Sequence, residues 1–123
     1  MTYTITASQN NEYIIITVTV DMSRKLAAEI ADQALLMGNK WGIGRYLIDL
    51  TASKNRESIL GSYQSAYEDL AEIPWKKTLT RVALLVDPQD NSHDFNEVVL
   101  NNIGMRATLF RDRDEAVQYL LED

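Results

Sequence analysis

Val82-Ala83-Leu84-Leu85-Val86, followed by Asp87-Pro88, is the stretch that decides the fold. Its unbroken apolar character is that of a central strand covered on both faces or flanked on both edges. Working outward, Tyr46-Leu47-Ile48-Asp49-Leu50 is an earlier strand. Between the two, Ile59, Leu60, Tyr63, Tyr67 and Leu70 fall on one face of a helix that ends before Pro74. On the other side, Phe95, Val98, Val99 and Ile103 mark a helix closed by Gly104, and Met105 to Phe110 a last strand. Asp112, with Glu115 three residues on, makes a capping-box-like start to a final helix with inner face Ala116, Val117, Leu120 and Leu121.

The N-terminal part begins with a different period. Tyr3 to Ala7 alternates, Ser8-Gln9-Asn10-Asn11 is turn-forming, and Tyr13 to Val20 alternates again, with Ile14, Ile16, Val18 and Val20 on one face. A hairpin is therefore predicted. Leu26, Ala27, Ile30, Ala31, Ala34 and Leu35 then form a helical stripe, for which Gly38 is the natural stop. The order is β-β-α-β-α-β-α-β-α, an α/β fold whose sheet is mostly parallel, with only the first strand antiparallel. Ligands of such sheets meet the carboxyl ends of the parallel strands. That edge is expected to carry Asp21, Asp49-Leu50-Thr51, Asp87-Pro88 and Arg111-Asp112.

Composition narrows the chemistry. At 123 residues and 46% hydrophobic, the chain fits one globular domain spanning 1–123. It has no cysteine, so thiol catalysis, disulfides and thiolate metal sites are excluded, and the reducing cytoplasm is the expected location. A net charge of -6 argues against a nucleic-acid partner, which would select a basic stripe. No positively charged, apolar leader opens the sequence, and no apolar run reaches the ~20 residues of a membrane span.

Each catalytic motif lacks a named part. Gly42-Ile43-Gly44 precedes a strand instead of following one, and Leu47 stands where a dinucleotide fingerprint needs its third glycine. Lys40, Lys54 and Lys76 have no glycine run to make a phosphate loop. Asp87-Pro-Gln-Asp-Asn-Ser-His-Asp94 is rich in oxygen ligands, but read as a calcium loop it places Ser92 at the glycine and Val98 at the bidentate glutamate. The same residues suit a strand-to-helix loop with Asn91, Ser92 or Asp94 as the cap. His93 is the sole histidine, and no Gly-x-Ser-x-Gly elbow accompanies it. Asp49 and Asp87 end adjacent strands and so define a possible magnesium pair, but the last strand ends in Arg111 where a phosphoryl-accepting receiver carries lysine. Trp41 and Trp75 fall outside the expected elements, either as partner anchors or as lids over the core.

Tyr46-Leu-Ile-Asp-Leu-Thr51, between a hairpin-plus-helix and another helix, resembles the STAS family of sulphate-transporter and anti-sigma-factor-antagonist domains. Arg81-Val-Ala-Leu-Leu-Val-Asp87 and Ala107 to Leu121 resemble its stand-alone SpoIIAA-like branch, with Phe110, Ala116 and Leu120 in place and Tyr119 where that branch has tryptophan. The resemblance spans almost the whole chain and implies a βα superhelix without catalytic machinery. In anti-sigma antagonists a serine at the start of the second helix is phosphorylated by a partner kinase. Laying Asp49-Leu50-Thr51 on the family's Asp-Leu-Ser brings Glu57-Ser58 onto its Asp-Ser pair. Ser53, Asn55 and Arg56 depart from its apolar positions, and Ile59-Leu60 from its Ser-Gly. A phosphate there would meet free backbone amides at a helix N-terminus; equally, Glu57 and Ser58 are common first-turn residues.

The expectation is a non-catalytic regulatory or binding module without cofactor, acting through a protein partner or a small apolar ligand. Asp49, Thr51, Ser53, Glu57 and Asp87 are the expected contacts, with Trp41 and Trp75 secondary and Ser58 the candidate phosphorylation site. A homodimer is compatible with this reading. The alternative is a divalent-metal-dependent hydrolase or phosphatase using Asp49 and Asp87.

Overall fold

The computed structural model describes residues 2–55, 81–102 and 106–122. Their elements are β1 (Tyr3–Ala7), β2 (Ile14–Val18), α1 (Arg24–Trp41), β3 (Arg45–Leu50), β4 (Arg81–Val86), α2 (Asp94–Asn102), β5 (Ala107–Phe110) and α3 (Arg113–Leu121). The expected helix carrying Ile59 to Leu70, the Glu57-Ser58 pair and Trp75 lie outside the described residues.

The strands lie side by side in chain order, β1-β2-β3-β4-β5. β1 pairs antiparallel with β2, and every later pair is parallel. The hairpin closes through Ser8, whose hydroxyl accepts from the backbone N–H groups of Glu12 at 2.9 Å and Tyr13 at 3.2 Å. Asn11 takes the left-handed conformation there, φ 56°, which asparagine tolerates better than most residues.

Two apolar layers sandwich the sheet. Ile14, Ile16, Val18, Tyr46, Leu50, Val82, Leu84 and Val86 meet Ile30 and Ala34 of α1, with Leu100 of α2 packed beside them. On the opposite face Leu47, Ala83 and Leu85 meet Ala116 and Leu120 of α3. Crossovers of one hand that step one way across a sheet put their helices on one face. α1 and α2 therefore share a layer, and the terminal α3 takes the other. Val82 through Val86 are all buried, as the apolar run predicted. Each such valine or leucine contributes ~1.5–3 kcal/mol by leaving water.

Three local expectations change. Gly38 does not stop α1; the helix continues to Trp41, and Gly42, at φ 68°, is its C-cap. Gly38 is instead a close-packing position, where an added Cβ would sit 2.0 Å from the Tyr46 hydroxyl. That hydroxyl donates to the Ala34 carbonyl at 3.3 Å, and burial pushes its pKa up. Trp41 accordingly belongs to a helix and not to a loop. Finally, Asp112 holds the N-cap position of α3 but makes no side-chain cap bond. The other end of α3 is closed by Arg81, whose guanidinium donates to the carbonyls of Tyr119 and Glu122 and lies 5.5 Å from the Tyr119 ring centroid. A cation there complements the negative end of the helix dipole.

Candidate functional site at the carboxyl edge

The parallel strands deliver their loops to one edge, and short polar side chains weave those loops together. Beyond β2, Asp21 accepts from the Lys54 N–H at 3.1 Å, and Met22 pairs with Asn55 in an isolated parallel bridge. Beyond β3, Asp49 accepts from the Thr51 N–H at 3.0 Å and from the Thr51 hydroxyl at 2.6 Å. It also pairs with Arg113 of α3 at 3.1 Å. Asp49 points to the α3 layer because it alternates with Ile48 and Leu50, which face α1.

The loop after β4 is built from two consecutive Asx turns. Asp87 accepts from the Gln89 N–H and Asp90 from the Ser92 N–H, each at 2.9 Å. This loop then grips its neighbours. Ser92 accepts from the Asn55 N–H at 2.9 Å, and His93 bonds the Ser53 carbonyl through Nε2 at 2.8 Å. On the far side Arg111 donates to Asn91 at 3.0 Å and to Asp94 at 3.1 Å. His93 is 0% exposed and Ser53 2%, so this joint is core and not surface.

Because a carbonyl can only accept, Nε2 of His93 carries a proton in this arrangement. That nitrogen is therefore not a base for Ser53, whose own hydroxyl oxygen makes no hydrogen bond among the described residues. The Asp90 carboxylate lies 3.8 Å from the same nitrogen. Burial raises the Asp90 pKa, but the N–H and hydroxyl of Ser92 and the charges of His93 and Lys54 outweigh it, and the net shift is downward. Asp90 is thus held as a carboxylate.

The structure sorts the expected site residues into three places. Asp49, Thr51 and Asp87 do gather at the carboxyl edge, with Thr51 and Asp87 exposed. Ser53 lies beneath that edge. Trp41, 40% exposed, ends a helix that has run back to the amino ends of the strands, a strand length away from Asp49. Glu57, Ser58 and Trp75 lie outside the described residues. Asp49 already has Arg113 as counter-charge, and no group of three or more potential metal ligands forms among the described residues. Arg113 carries no site signature in the sequence, and Asp90 and Ser92 are legible there only as loop and cap residues. The repeated spacing Asp87-x-Gln89 and Asp90-x-Ser92 was the available signal for the two Asx turns.

No family model and no curated protein matches the sequence. A solved structure does: an uncharacterized protein of the DUF3478 family with a SpoIIAA-like fold, from Shewanella loihica PV-4. It is 21% identical, with a TM-score of 0.58, and the match covers 96% of this chain and 91% of that one. Among the described residues no helix is long and apolar enough to cross a membrane. The mixed α/β fold with its five-stranded sheet matches a SpoIIAA-like fold, as the resemblance implied.

Proposed function

We propose that the chain is a non-catalytic STAS-like module that acts by binding, with its carboxyl edge as the contact surface for a protein partner. The observation that carries this reading is the placement of the polar groups. Asp49, Asp90, Ser92 and His93 are spent on shaping and joining loops; Thr51 and Asp87 are exposed but bonded within their own loops, and Ala52, Lys54, Pro88 and Gln89 stand as exposed tips. A surface held rigid from below loses little entropy on binding, which favours recognition. A nucleophile, by contrast, needs a base within reach, and the buried joint gives Ser53 none through Nε2 of His93.

Pull-down with Ala52→Lys and Gln89→Lys tests the reading. Both residues are exposed and neither side chain shapes a loop, so the fold should survive while partner recovery falls. Unchanged recovery in both would contradict it. Native mass spectrometry of freshly purified protein distinguishes a retained small apolar ligand from a protein partner. The phospho-switched version has its own test: Ser58→Ala and Ser58→Asp should differ in the partners they recover, and identical profiles would remove it.

A further inference from the structure

The two outer edges of the sheet are treated differently. β5 has its outward-facing backbone closed by α2. Asn101 accepts from the Ala107 N–H at 3.0 Å and donates to the Ala107 carbonyl at 2.8 Å, like a neighbouring strand. The Leu109 N–H goes to the Glu97 carboxylate. β1 has no such cover among the described residues. Thr2 accepts from Thr19, and Ser8 donates to Tyr13, so the even-numbered residues of β1 form its bonds to β2. The N–H and C=O groups of Tyr3, Ile5 and Ala7 then point away from the sheet, and nothing among the described residues hydrogen-bonds to them.

Natural edge strands are usually protected by charge, proline or a bulge. β1 has none of these: no charged side chain and no proline occurs from Thr2 to Asn11, in a chain whose net charge is -6. We propose that β1 pairs with β1 of a second copy, antiparallel about a twofold axis at Ile5, to make one continuous sheet.

The register follows from the backbone. Centring on Ile5 sets Tyr3 opposite Ala7 of the second copy and Ile5 opposite Ile5. All the outward groups then become mutual partners, with roughly six hydrogen bonds across the seam. The opposite face sets Thr4 against Thr6, a favourable cross-strand pair, and no like charges meet on the strand itself. Tyr3 hydrogen-bonds Glu29, which places the Glu29 stripe of α1 beside this edge. Two turns along that stripe is Leu36, at 58% the most exposed large hydrophobic among the described residues. The alternative pairing, β1 onto β5 of the next copy, would build an open filament, and Asn101 and Glu97 block it. A sealed edge at one side and a bare one at the other permit closure at a dimer.

Sedimentation equilibrium across a concentration series tests the pairing. The wild-type chain should reach twice the mass of one chain. Thr4→Lys with Thr6→Lys changes only exposed side chains and sets like charges opposite each other across the seam. The dimer dissociation constant should rise about tenfold or more. Ala7→Pro removes an N–H that β2 does not use, so the hairpin survives while the seam loses bonds. Circular dichroism should show both variants folded. A wild-type chain that stays monomeric at high concentration overturns the proposal, as does a dimer whose affinity neither variant alters. A β1 edge that captures an extended peptide from another protein while the chain stays monomeric also overturns it.

Discussion

β5 and β1 are both four- or five-residue edge strands of one sheet, yet among the described residues one is closed by side chains and the other is bare. The closed side owes its cover to α2 and the loop before it. Glu97 and Asn101, one turn apart, occupy the backbone of β5, while Ser92 and His93 hold the β3 loop. The open side belongs to a hairpin whose outer strand ends the sheet. The lesson is that a parallel βα unit brings its own edge protection, because the crossover helix runs alongside the strand it delivers. A hairpin strand brings none. Its backbone must meet water or another chain.

The largest expected loss comes from breaking the closed side where it joins the carboxyl edge. His93→Ala removes a fully buried ring and orphans the Ser53 carbonyl, and should cost about 3 kcal/mol in urea unfolding. Asn101→Ala opens the β5 edge. It should cost about 1 kcal/mol and speed exchange of the Ala107 amide, making the two edges alike. Asn101→Asp sharpens this: it keeps the acceptor for Ala107 N–H but sets a carboxylate against its carbonyl, so it should recover little.

Asp90 adds a pH signature of similar or smaller size. Its folded pKa is lowered, so its charge stabilises the folded state. That contribution is complete above the unfolded value near 3.8 and is lost as pH falls through the lower folded value. Asp90→Asn should therefore lower stability by about 1 kcal/mol at neutral pH, with the gap to wild type closing in acid. Thermal melts at pH 7 and below pH 4 check the sign. The smallest effect lies on the open side. Tyr3→Phe removes only the bond to Glu29 and should change stability by less than ~0.5 kcal/mol.

Much of this frame was legible in the sequence, and the reasons are local. Alternation at Tyr3–Ala7 and Ile14–Val18, and the apolar run Val82–Val86, are periodic signals that packing reinforces. The C-terminal end of α1 was not legible. Gly38 is an ordinary helix stop by composition, and only the approach of Tyr46 shows that the glycine makes room instead. The carboxyl edge was readable as a place and not as a network. Asp49, Thr51 and Asp87 were found because strands end there, whereas the bonds of Ser92 to Asn55, His93 to Ser53 and Arg113 to Asp49 join residues far apart in the chain. Edge sealing was invisible for the same reason. Glu97 and Asn101 read as helix-surface residues until β5 lies beside them.

Amide hydrogen exchange, followed residue by residue in dilute and concentrated samples, tests the asymmetry of the two edges most directly. In dilute protein the Ala107 and Leu109 amides should be protected while those of Ile5 and Ala7 exchange freely. Raising the concentration should slow Tyr3, Ile5 and Ala7 alone. Equal protection of both edges in the dilute sample would contradict the account.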